Sequence, residues 1–220
     1  MDEVYLGWMD GDINGLTSDV TLPSLPKDLW TSLLLQMLPA LDYLATWEVV
    51  HEDVNPANIL IKRFPNGHVN FRLADFSNSG RLWTRYGDDF RPLFCAPEWT
   101  HFAEEKAGGT QPPADVWALA MTMICVSRRP HGTTMPEVWD MVDKGLFSEA
   151  VQAAFQHAAR EVAPFESQKL TLLRYMICLN PLARATAREM SVRVQQIVNI
   201  AALRRGVVAA AAAKAAGLNS

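Results

Sequence analysis

Asp53 and Asn58 lie five residues apart in the run His51-Glu52-Asp53-Val54-Asn55-Pro56-Ala57-Asn58-Ile59-Leu60, and a second carboxylate opens Asp75-Phe76-Ser77. An amide oxygen and a carboxylate are hard donors. Brought together, Asn58 and Asp75 suit Mg²⁺, which takes few protein ligands and leaves the rest of its shell to phosphate or water. Asp53 is then the carboxylate placed to accept a proton from an attacking hydroxyl. The five histidines, His51, His68, His101, His131 and His157, are dispersed, so no zinc cluster is indicated. Neither GxGxxG nor GxxxxGK[ST] occurs in the chain, so it contains no glycine-rich phosphate cradle.

The elements that must position these groups are legible in the apolar pattern. Residues 58–64 and 69–75 alternate apolar and polar side chains around the turn-forming Pro65-Asn66-Gly67-His68. This predicts a β-hairpin that brings Asn58 and Asp75 together. Upstream, Leu29, Leu33, Leu34, Met37, Leu41 and Leu44 recur every three or four residues, which predicts an amphipathic helix opened near Pro26. Residues 1–15 predict a short strand near Val4 to Trp8 and then a loop. Residues 76–113 hold few periodic signals and read as a long functional loop. Residues 114–128, nearly all apolar, predict a buried central helix, with further helices over 135–145, 147–161, 166–178 and from about 186. The Ala-rich stretch at 201–220 predicts a fraying helical tail with nothing large to bury. The expected fold class is mainly α (α+β), a helical bundle carrying a small antiparallel hairpin.

Composition narrows the function classes. Apolar residues make up 49% of the 220, enough for a sizeable core and against disorder. Lysine plus arginine is 20 against 24 acidic residues, a net charge of −4, which argues against a nucleic-acid partner. The longest apolar stretch, Val116 to Val126, is about 11 residues and falls short of the roughly 20 that a membrane helix needs. Cys95, Cys125 and Cys178 lie far apart among apolar neighbours, which reads as buried thiols in a reducing, intracellular setting.

Five motifs in order resemble the protein kinase family. The run His51 to Leu60 looks like the catalytic loop H-R-D-L-x-x-x-N, Asp75-Phe76-Ser77 like D-F-G, and Ala96-Pro97-Glu98 like the A-P-E end of the activation segment. The helix around Asp115 and the Asn180-Pro181 stretch resemble the central helix and the opening of the last helix of the large lobe. The resemblance spans about Val4 to Ile200. It implies a kinase-like large lobe over 1–200, with a hinge remnant at 1–15, a catalytic loop at 51–60, an activation segment at 75–98, and the tail beyond. It gives Asp53 the base role, Asn58 and Asp75 the Mg²⁺ and catalytic roles, and Leu6, Leu60 and Asp75 the contacts to ATP. Glu98 and Arg184 are implied as a buried ion pair, and Asp115 as acceptor for catalytic-loop N–H groups.

The departures matter as much. The glycine-rich loop, the strand lysine and the helix glutamate that precede the hinge in the family are missing from these residues, so the small lobe is expected to be absent. Glu52 replaces the usual arginine and is expected to pair with Arg81, Arg85 or Arg91. Asn55 replaces a lysine that meets the γ-phosphate and makes D-x-N-P-x-N similar to small-molecule phosphotransferases. Ser77 replaces a glycine, which is tolerable where φ stays negative. Trp83, Trp99, Trp117 and Trp139 read as core or groove packing. The leading expectation is a pseudokinase-like module with weak or no ATP binding, joined to a protein partner or a second copy at a face containing Leu6, Trp8, Leu60 and Leu73. The alternative is a serine/threonine kinase completed by a small lobe from elsewhere, with a small-molecule phosphotransferase third.

Overall fold

The structure is a computed structural model that describes residues 9–18, 29–81, 94–98, 111–127, 153 and 172–215. Strand β1 (Gly11–Asp12) turns directly into a short helix, α1 (Ile13–Ser18). The sequence predicts a loop here. A helix forms instead because Asp12 Oδ1 accepts the Gly15 N–H at 2.6 Å, capping the first turn, and because Ile13 is buried in the core. The strand expected near Val4 to Trp8 lies outside the described residues.

Helix α2 (Leu29–Thr46) buries Leu29, Leu33, Leu34, Met37 and Leu41, the stripe read from the sequence, together with Trp30 and Leu38. It continues through Pro39, which sits on the exposed side and removes a helix hydrogen bond away from the core. Strands β2 (Val49–Val50), β3 (Ile59–Arg63), β4 (Val69–Leu73) and β5 (Gly80–Arg81) follow. The predicted hairpin is β3–β4, antiparallel with Ile59 opposite Leu73 and Ile61 opposite Phe71. Ile59, Ile61 and Phe71 are buried, as the alternation requires. Gly67, at φ 81°, supplies the left-handed residue of the turn.

The hairpin is part of something larger. Strand β1 pairs with the other side of β3, Gly11 opposite Ile61 and Asp12 opposite Leu60, giving a three-stranded sheet in the order β1-β3-β4. The outer edge of β4 is closed by one side chain of α2. Gln36 Nε2 donates to Val69 O at 3.0 Å, and the Phe71 N–H donates to Gln36 Oε1 at 2.9 Å. Within the stretch expected to be all loop from residue 76, β5 pairs antiparallel with β2.

Helix α3 (Pro113–Ser127) is the buried central helix, with Val116, Leu119, Ala120, Met121, Met123 and Ile124 fully enclosed. Helix α4 (Leu173–Met176) covers the end of the region predicted at 166–178. Helix α5 (Ala187–Ala215) opens on a capping box: the Glu189 N–H donates to Thr186 Oγ1 and the Thr186 N–H to Glu189 Oε2. Met190 and Val194 are buried against the core, whereas Leu203, Val207 and Val208 are exposed. The Ala-rich tail is a direct continuation of this docked helix, unbroken at residue 200. The helices expected at 135–145 and 147–161 lie outside the described residues, apart from helical Ala153. No helix among the described residues is long and apolar enough to cross a membrane. Cys95 is buried and its burial pushes the thiol well up, whereas Cys178 is only half-buried; the Cys125 side chain lies outside the described residues.

Candidate active site

Between β2 and β3 the chain belongs to no strand ladder, and residues 51–58 are held by a few backbone bonds, such as Asn14 N–H to Pro56 O at 3.3 Å, and by a larger set of side-chain ones. Asp115, in the first turn of α3 and fully enclosed, does this at the entry. Its Oδ2 accepts the His51 N–H at 2.7 Å and its Oδ1 the Glu52 N–H at 3.0 Å. Glu52 sits at φ 66°, a left-handed conformation that a non-glycine residue adopts only when surrounding bonds hold it there. Burial pushes the Asp115 carboxyl up to about 7; the two N–H donors pull it down, and the nearby Glu52 charge adds to the rise.

The His51 ring is the next tie. Its Nε2 lies 3.0 Å from Ala74 O, and its Nδ1 accepts the Asp53 N–H at 3.3 Å. One nitrogen donates and the other accepts, which requires the neutral ring. Desolvation by burial holds its pKa below the usual histidine value, against the opposing pull of the Ala74 carbonyl and the charges of Asp53 and Asp75. His51 thus orders the loop through backbone hydrogen bonds, as its position in the sequence suggests.

Asp53 is buried and held from two sides. Asn55 Nδ2 donates to Asp53 Oδ1 at 2.7 Å, and Asn58 Nδ2 donates to Asp53 Oδ2 at 2.8 Å. Both amides also donate to the Asp53 carbonyl. With both N–H groups of Asn58 directed at Asp53, its Oδ1 is the end turned away from that residue. Asn55 is 1% exposed and accepts the Ala57 N–H at Oδ1. It is an internal brace of the loop, which its place in a lysine position did not suggest.

Asp75 stands one residue beyond Ala74, whose N–H donates to Asn58 O at 2.9 Å and so extends the β3–β4 ladder toward the loop. The hairpin does bring the Asn58 and Asp75 backbones to one end. Asp75 is exposed, at φ 60°, and its Oδ1 accepts both the Ser77 hydroxyl at 2.6 Å and the Ser77 N–H at 3.2 Å. Ser77 itself keeps out of positive φ, the condition under which serine is tolerable there. The segment is tied back to the loop: Phe76 packs edge-on to the His51 ring at 4.7 Å, Ser79 Oγ donates to His51 O, and β5 then pairs with β2.

Among the described residues no group of three or more His, Cys, Asp and Glu side chains can hold a metal alone. The Asn58 amide oxygen and the Asp75 carboxylate are hard donors of the kind Mg²⁺ takes when phosphate oxygens and water complete its shell.

Leu60, on β3, is half-buried opposite Asp12 and Arg72, while Leu6 lies outside the described residues. Asp12, opposite Leu60, is a carboxylate that the sequence analysis passed over, because a two-residue strand has no periodicity to read. Arg85, Arg91 and the Arg81 side chain lie outside the described residues, as do Trp83, Trp99 and Trp139. Beneath the site, Arg184 makes a bidentate pair with Glu98, at 2.6 and 2.7 Å, with its guanidinium 5.1 Å from the Trp117 ring centroid.

A protein kinase domain model matches residues 8–194. The chain is 27% identical over 161 residues to a probable serine/threonine-protein kinase MARK-C of Dictyostelium discoideum, covering 70% of this chain and 18% of that protein. It is 24% identical over 216 residues to cyclin-dependent kinase 12 of Caenorhabditis elegans, covering 83% and 27%. It is 28% identical over 184 residues to serine/threonine-protein kinase MRCK alpha of Homo sapiens, covering 80% and 10%. The chain thus spans less than a third of the length of these relatives.

Proposed function

This chain belongs to the protein kinase family, and from that membership we propose that its 220 residues carry the acceptor-side half of a phosphotransfer site. By themselves they bind ATP weakly or not at all and serve as a protein-binding, pseudokinase-like lobe. The observation that supports the first part is the Asp53 carboxylate, buried and held on both oxygens by the Asn55 and Asn58 amides. A carboxylate fixed in this way orients an acceptor hydroxyl and takes its proton as the oxygen bonds to phosphorus. Mg²⁺, when bound with ATP, neutralises charge on the transferring phosphate, and Asn58 and Asp75 are the side chains that hold it.

The second part follows from what the sequence does not contain. With no glycine-rich loop or strand lysine among these residues, the phosphates lack the donors that supply much of the electrostatic stabilisation of the transition state. The face of the sheet that carries the half-buried Leu60 is where a completing segment, a second copy or another protein docks; Leu73, expected on the same face, stands opposite Ile59 on the other one and packs against the core. A serine/threonine kinase completed by a small lobe from other residues is the alternative, favoured by Asp53, Asn58 and Asp75 being retained together.

Thermal unfolding with and without Mg-ATP, on the chain and on Asp75→Ala, separates these readings. No shift in either protein supports the binding lobe. A Mg²⁺-dependent rise that Asp75→Ala abolishes supports the kinase awaiting completion. Transfer of labelled phosphate to a protein by the purified chain at ordinary enzymatic rates overturns the proposal.

A further inference from the structure

We infer that Ser77 is a positioning residue for the Asp75 carboxylate, directing it to offer a divalent cation one oxygen in a fixed orientation. This rests on the reading of Asp75 as a metal ligand. The carboxylate is exposed, so packing does little to fix its rotamer. Its backbone is left-handed, a conformation that aspartate tolerates because its short polar side chain can hydrogen-bond locally. Ser77 supplies that local partner twice over, through its hydroxyl at 2.6 Å and its N–H at 3.2 Å, and both bonds fall on Oδ1.

A glycine at this position would offer the N–H alone. The hydroxyl is therefore the feature this chain adds, and it makes the shorter of the two bonds. The surroundings keep Ser77 in place without recruiting its side chain elsewhere. Phe76 is fixed on the His51 ring, Ser79 Oγ is bonded to His51 O, and the Ser79 N–H closes a turn onto Phe76 O. With two donors on Oδ1, the plane of the carboxylate is set before a cation arrives. Hydrogen bonds of this kind orient a ligating carboxylate, and their loss weakens metal affinity by about 10–100-fold. The exposed setting of this pair places the expected effect near the lower end, roughly tenfold.

The test follows Mn²⁺, an oxygen-binding stand-in for Mg²⁺, added with inorganic pyrophosphate to supply the phosphate oxygens of its shell, by the paramagnetic broadening it causes in the backbone amide signals of Asn58 and Asp75. The full 220-residue chain is compared with Asp75→Asn, Ser77→Ala and Ser77→Thr, and thermal unfolding checks that each variant is folded. The expected result is broadening that Asp75→Asn abolishes, that Ser77→Ala delays to about tenfold higher Mn²⁺, and that Ser77→Thr restores through its retained hydroxyl. If Asp75→Asn abolishes the effect while Ser77→Ala titrates like the parent, Asp75 stands as a ligand and the role of Ser77 is overturned. A threonine variant as weak as the alanine one also overturns it. If Asp75→Asn broadens like the parent, or the parent does not broaden, the metal reading itself fails and Ser77 falls with it.

Discussion

Replacing Arg184 with alanine removes a side chain that makes four hydrogen bonds. The guanidinium is fully enclosed and its partner Glu98 nearly so. Besides the two bonds to Glu98, Nε donates to Cys178 O at 2.9 Å and Nη1 to Pro113 O at 3.2 Å, and the group lies over Trp117. Deleting one member of a buried pair strands the other charge, at about 3–5 kcal/mol. Two carbonyls lose their donor as well, so a loss of about 4 kcal/mol is expected, a large part of the roughly 5–15 kcal/mol that holds a domain together. With a urea dependence of about 2 kcal/mol per molar, the unfolding midpoint falls by about 2 M, read by tryptophan fluorescence. The informative control is the double variant Arg184→Met with Glu98→Leu, which removes both charges and fills the space. It should lie within about 1–2 kcal/mol of the parent, because a well-packed apolar pair replaces a buried salt bridge at little loss. A single variant that costs under about 1 kcal/mol, or a double variant no better than the single, would refute the argument that a stranded charge dominates.

Two further predictions concern the scaffold of the site. Asp115 has its pKa raised from 3.8 to about 7 on folding, so the folded state holds the proton more tightly and the resulting stability is present at low pH and lost as pH rises through 7. His51 acts in the opposite sense, since its lowered pKa costs stability as pH falls below about 6.5. In Asp115→Asn the His51 contribution remains, so the parent-minus-variant difference in urea stability should shrink by on the order of 3–4 kcal/mol between pH 4 and pH 7.5; parallel curves would sink this. Gln36→Leu keeps the volume but leaves the Phe71 N–H and the Val69 carbonyl without their partner, a loss of about 1–3 kcal/mol. Faster hydrogen exchange at the Phe71 amide, with the β3-side amides unchanged, checks that the damage is confined to the edge of β4.

What the sequence reveals is whatever has a period or a motif. The α2 stripe, the β3–β4 register and the buried α3 all follow from where Leu, Ile and Met recur, and the roles of Asp115 and Arg184 as loop clamp and ion-pair partner came with the family motifs. The features it conceals arise from single contacts between distant residues. Gln36 is an ordinary polar position on a helix until β4 is laid beside it. Strand β1 is two residues long, and its partner lies some fifty positions away. Asn55 is the instructive case: its type suggests a missing phosphate contact, whereas its burial makes it a brace for Asp53. A substitution's consequence depends on which way the side chain points, and spacing on a loop does not encode that.

Helix α5 holds 29 residues, and among the described residues its first part is pinned to the body, by Met190, Val194, Ile197 and the Arg188–Asp42 contact. Starting a helix is the unfavourable step and lengthening one is nearly neutral for alanine. The anchored turns therefore act as a seed crystal for residues 201–215, and the alanines grow outward from it. Cut free, the same stretch of alanines is too short to sustain its coil, so its order belongs to the docked end rather than to its own composition.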